Sequence, residues 1–171
     1  MGIFRDLYKY KQELTKMLFS NQSLLKYLYY NSADSLTKDR IKNPYSMINK
    51  QIFFKPKDFK TVDSVQSFLL INFESSPIHN SLAYKDTYVV CDILVHNTIL
   101  DVIGETGENE NRLYNIMDEI DSYLNGKNSP DLGIGKTTFE SFKLTLFNND
   151  YVSARLIYKL TDRNLNFRNG S

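Results

Sequence analysis

The chain of 171 residues has a single cysteine, two histidines and no tryptophan. Cys91 has no partner for an internal disulfide. It sits in an apolar alternating run with no basic neighbour in sequence to lower its pKa, so a reducing compartment or a buried small hydrophobe is expected, not a secreted disulfide framework or a redox or nucleophilic centre. Charge of one sign is lacking too: 21 basic and 20 acidic side chains leave a net charge of +1, which gives no field for capturing a polyanion. Apolar runs are short. No stretch approaches the roughly 18 uninterrupted apolar residues that span a bilayer, so a soluble chain with no membrane role is expected. The opening MGIFRDLYKYKQEL mixes charged and apolar residues, unlike a signal peptide, and Asp6 stands where a myristoylation motif wants Ser or Thr.

What remains suits one domain over 1–171, large enough to bury a core without metal or disulfide. Residues 1–60 read as a helical segment followed by connecting loops. Ile3, Leu7, Tyr10, Leu14, Met17 and Leu18 recur at helical spacing, and Ser20 or Asn21 can cap a second helix carrying Leu24, Leu25 and Leu28. Tyr27, Tyr29 and Tyr30 fit the rim of a helical core better than a base-stacking platform. Asn43-Pro44 and Lys55-Pro56-Lys57 mark turns, and Ile52 to Phe54 fits an edge strand because Pro56 soon removes a backbone donor. Lys50, Lys55, Lys57 and Lys60 read as a solvated loop.

Residues 62–161 read as an α+β core. Strands are expected over Ser64–Phe73 and Thr87–His96, joined by a projecting loop from Ser75 to Lys85. An aperiodic acidic loop follows from Ile99 to Asn109. Leu113, Ile116, Met117, Ile120 and Leu124 then make an amphipathic helix closed by Gly126, with Asp118, Glu119, Asp121 and Ser122 on its other face. Phe139–Phe147 and Tyr151–Thr161 alternate cleanly around Asn148-Asn149-Asp150, a loop whose residues tolerate positive φ. The expected fold is an antiparallel or mixed sheet of four to five strands packed by one amphipathic helix. Residues 162–171 form a polar, aperiodic tail, either mobile or a strap that orders on a partner.

Three constellations invite chemistry, and each has a plainer reading. Gly133-Ile-Gly-Lys-Thr-Thr138 resembles a phosphate loop, yet Pro130 replaces its first glycine and a helix precedes it where a strand should. Asp86, Asp92, His96 and Asp101 could hold a divalent ion in a nuclease, but no catalytic lysine or second carboxylate strand accompanies them. His79 lies in a loop with no readable triad around it. Neither cofactor, metal nor catalytic residue is therefore assigned.

The order of elements, with VVCDILVHNTILD, then RLYNIMDEIDSYL, then FESFKLTLFNNDYVSARLIYKL, resembles the tail terminator (tail completion) proteins of long-tailed bacteriophages and related head–tail neck components. The resemblance covers roughly residues 62–161 and is one of architecture and local pattern. It implies a virion structural protein, not an enzyme, assembled in the host cytoplasm. Such a protein forms a homo-oligomeric, commonly sixfold ring that ends tail tube polymerisation and meets the head connector, with DNA passing through its lumen unread. The interface residues expected on this basis are Ser75, Ser76, His79, Asn80 and Tyr84 in the projecting loop; Asp101, Glu105, Glu108 and Arg112 around the acidic loop; Asp118 and Glu119 facing a lumen; and Arg163, Phe167 and Arg168 in the tail. A head-completion or stopper ring is the alternative within the class, and a metal-dependent nuclease the alternative outside it.

Overall fold

The structure, a computed structural model, describes residues 3–54, 64–77, 85–126 and 136–161. Helix α1 (Ile3–Ser20) ends at Asn21, and α2 (Gln22–Tyr29) begins directly after it. Asn21 starts the second helix: its Oδ1 accepts the amide of Leu24 at 3.0 Å, capping α2, while its Nδ2 donates to Glu119 Oε2 at 2.7 Å. Tyr10, Leu14 and Leu18 on α1 and Leu24, Leu25 and Leu28 on α2 are buried, as their spacing predicts. The chain then runs through short 3-10 turns to β1 (Ile52–Phe53), entering it through Asn49 in the left-handed region at φ 61.

Five strands form one sheet in the order β1-β2-β3-β7-β6. β2 is Ser67–Pro77, β3 Lys85–His96, β6 Lys136–Leu146 and β7 Tyr151–Thr161; β1 pairs with β2 in parallel and every other pair is antiparallel. The α+β expectation, including the edge position of β1, is what the chain builds. Between β3 and β7 lie a small hairpin, β4 (Asp101–Ile103) with β5 (Asn109–Asn111), and helix α3 (Arg112–Leu124).

Several boundaries differ from the sequence expectation. β2 runs on through Ser75 and Ser76 to Pro77, because β3 supplies partners from Thr87 back to Lys85, and ladder pairing overrides the turn preference of Ser-Ser-Pro. The acidic stretch is an ordered hairpin and not an aperiodic loop: Gly107 turns it at φ 82, Val102 is buried, and the Ile103 amide donates to Ala33 O at 2.9 Å. β6 starts three residues early, at Lys136, where Thr137 and Thr138 are β-branched. The β6–β7 loop uses no positive φ; Asn148 Oδ1 instead accepts the amides of Asp150 and Tyr151, both at 2.9 Å, so a side chain closes the turn. Residues 127–135, with the Pro130 to Gly135 part of the phosphate-loop resemblance, lie outside the described residues.

One face of the sheet meets the helices. Leu69, Ile71, Val89, Cys91, Ile93, Val95, Ala154, Leu156, Tyr158 and Leu160 form one buried cluster with α1, α2 and the Leu113, Ile116, Ile120 and Leu124 stripe of α3. The other face carries a smaller cluster of Phe53, Phe68, Leu70, Leu94 and Tyr151, and the Tyr151 hydroxyl donates to Ser64 O. Burial pushes the Cys91 thiol pKa up, which keeps it protonated and unreactive.

Candidate assembly surface

β6 is the edge strand beyond β7, and its apolar residues stand on the helix-facing side: the register sets Phe139 opposite Tyr158, Phe142 opposite Leu156, Leu144 opposite Ala154 and Leu146 opposite Val152. Their β7 partners Tyr158, Leu156 and Ala154 are buried, whereas Phe142 is 56%, Leu144 42% and Leu146 78% exposed. Helix α3 causes this difference. It lies over β3 and β7 and reaches β6 only at the strand's start, leaving a groove of about 330 Å³ lined by Leu113, Tyr114, Leu144, Leu146 and Val152, and a smaller one of about 160 Å³ between Met117, Asp118 and Asp121 of α3 and Phe139 and Phe142 of β6.

The backbone of β6 is divided in the same way. At its start the C-terminal end of α3 meets the outer edge: Gly126, at φ 70, donates to Thr137 O at 2.9 Å, and Asn125 Oδ1 accepts the Phe139 amide at 3.2 Å. A bulge at Glu140 then shifts the register. Beyond it, the Phe147 amide donates inward to Tyr151 O at 3.0 Å. Since bonded positions alternate along an antiparallel pair, the main-chain groups of Phe142, Leu144 and Leu146 point outward. Among the described residues nothing pairs with them. Exposed apolar side chains and open ladder positions thus coincide on three residues, the combination an added strand recognises.

The residues singled out from sequence disperse over the molecule. Asp101, Glu105 and Glu108 are exposed on the β4–β5 hairpin. Glu105 lines a polar pocket of about 380 Å³ with Gln22, Ser23 and Lys26, away from β6. Ser75 and Ser76 sit at the far end of β2. Asp118 is exposed at the lip of the smaller groove, but Glu119 on the same helix turns back to Asn21. His79, Asn80, Tyr84, Arg163, Phe167 and Arg168 lie outside the described residues.

Arg112 needs correction as a surface contact. It is 0% exposed. Its Nε donates to Ile99 O at 2.7 Å, its Nη1 to Tyr27 O at 2.8 Å and Tyr30 O at 2.6 Å, and its Nη2 to Ser32 O at 2.8 Å. The guanidinium clasps the C-terminal end of α2, where the helix dipole offers negative charge without a carboxylate. Burial lowers its pKa to about 10.

Two residues of the metal reading, Asp92 and His96, are engaged elsewhere. Asp92 receives Arg155 through two bonds, Nε to Oδ1 at 2.6 Å and Nη2 to Oδ2 at 2.9 Å, across paired strands. His96 packs edge-on against Tyr151 with centroids 5.1 Å apart, and its Nδ1 lies 2.9 Å from Thr98 Oγ1. Among the described residues no three His, Cys, Asp or Glu side chains are grouped to hold an ion, and no helix is long and apolar enough to cross a membrane.

Sequence reasoning missed Phe142, Leu144 and Leu146 as a surface, because regular alternation reads as a core face. The one available signal was the break in that alternation between Phe139 and Phe142, which marks the bulge of an edge strand. No curated protein matches the chain. The YomW family model matches residues 21–160, from the cap of α2 to the last turns of β7. The chain therefore belongs to the YomW family, which bears the name of an SPβ-like, Bacillus phage-derived protein, and is phage-related.

Proposed function

We propose that this protein is a structural component of the phage virion: a ring subunit at the head-proximal end of the tail that stops tail tube polymerisation and joins the tail to the head connector. The observation that carries this reading is the open surface of β6, where three apolar side chains and three unpaired ladder positions coincide beside a groove along α3. A surface of that kind suits subunit contact, and membership of a phage-related family supports it. Heterologous contacts that close on themselves give a ring, and loops on its two faces then meet tube and connector.

The test is negative-stain imaging and mass photometry of the purified protein, alone and with tail tubes. Rings that cap tube ends, and tubes that stop growing when the protein is added, are the expected result. A protein that remains monomeric with tubes present and leaves their growth unchanged overturns the proposal. Magnesium-dependent DNA cleavage by that monomer would favour the nuclease reading instead.

A further inference from the structure

Resting on the subunit-contact part of that reading, we infer that the open edge of β6 is filled by the C-terminal tail, residues 162–171, of a second copy of this chain, which adds as a strand beside Phe142, Leu144 and Leu146.

The open backbone groups of β6 call for an extended segment with its own amide and carbonyl rows. The exposed side chains on the same residues call for apolar groups two apart, the spacing that places both on one side of a strand. Asn164-Leu165-Asn166-Phe167-Arg168 has that form, with Leu165 and Phe167 the only apolar residues among the last ten. Charge agrees: Arg163 and Arg168 flank the apolar pair, while Asp118 and Asp121 stand at the lip of the groove beside Phe142.

Direction assigns the tail to a neighbour. β7 runs antiparallel to β6, so Thr161 lies opposite Lys136, and β7 ends pointing away from Phe142. Returning to its own open edge would require a reversal around the start of β6, where Gly126 and Asn125 already occupy the outward groups of Thr137 and Phe139. Ten extended residues reach about 30 Å, enough to cross to an adjacent copy. Because tail and edge are different surfaces, the contact is heterologous and propagates in one direction, as ring closure requires.

Two preparations of the full chain test this, one carrying Leu144→Cys and the other Phe167→Cys. Native Cys91 is 0% exposed and does not compete. Mixed and oxidised, they are expected to give a disulfide-linked pair that needs both substitutions. Phe142→Cys in place of Leu144→Cys serves as a second position should the first disturb folding. Phe167→Asp is expected to lower the assembled fraction about tenfold while leaving the circular dichroism of the fold unchanged. Two outcomes overturn the inference: no mixed link at either position, or linkage between Leu144→Cys chains alone. Tube capping is scored separately. Capping without the mixed link sinks this inference and spares the terminator reading; the mixed link without capping does the reverse.

Discussion

Over β2, β3 and β7 the helix-facing side of the sheet is dry, and over β6 the same side is open to solvent. Both regions carry apolar residues on that side, mainly leucine, isoleucine and valine in the dry one and leucine and phenylalanine on β6. What differs is the reach of α3. Its first turn is anchored by Arg112 to the end of α2, and its last is joined to β6 at Thr137, whose hydroxyl donates to Leu124 O. Between those two points the helix crosses β3 and β7 and leaves the remainder of β6 uncovered. Burial is therefore decided by where the covering element is fixed, and the strand's own pattern says only which side would be buried.

The strongest way to break the comparison is to release the anchor. Arg112→Ala removes the donor from four carbonyls, those of Ile99, Tyr27, Tyr30 and Ser32. Even with water reaching some of them, about 3–5 kcal/mol should be lost. Urea unfolding measures it. Arg112→Lys retains the charge but has no planar fork, and is expected to recover less than half of the loss. A variant as stable as the parent would show that the clasp does not hold α2 and α3 together.

The contrast itself is sharpened by a matched pair of truncations. Ile120→Ala opens a cavity in the fully buried stripe of α3 and should cost about 3 kcal/mol. Leu144→Ala removes a side chain already 42% exposed and should cost less than about 1 kcal/mol. Equal losses would mean that the β6 face is covered in the free protein.

Much of this architecture was legible in sequence because it rests on local rules. The 3.6-residue stripe of α3, the glycine after it, the cap at Asn21 and the alternation of β7 each follow from contacts within a few residues. Sheet order does not. Nothing local says that β6 lies outside β7, or that α3 covers only its start, since both depend on which strand pairs with which across the whole chain. The same limit misassigned Arg112: next to acidic residues it reads as exposed, while three of its four partners are carbonyls 80 to 85 residues away in the chain. The Ser-Ser-Pro turn signal gave way to ladder pairing at Ser75 to Pro77 for a related reason, as long-range partners outweigh local preference.

Tyr158 offers the smallest and most discriminating probe, because it stands at the border of the two regions. Its ring is 0% exposed and lies edge-on to Phe139 of β6 at 5.7 Å, and its hydroxyl donates to Asp121 Oδ1 of α3 at 3.1 Å. Burial above all, helped by the Asp121 charge, raises its pKa above the ordinary 10.0. The fold thus favours the protonated phenol. Below pH 10 that preference contributes fully to stability; as pH rises past 10 the unfolded chain loses its proton first, and stability falls until the folded phenol also ionises. Tyr158→Phe should cost about 1 kcal/mol near neutral pH through the lost bond to Asp121, and should make the alkaline decline shallower than in the parent. Tyr27, whose pKa is also raised by burial, continues to contribute to that decline in both proteins. Chemical denaturation across the alkaline range measures both effects. An unchanged alkaline slope would mean that the Tyr158 hydroxyl already reaches solvent, and that the boundary between the dry and open regions lies further inside the sheet, toward β3.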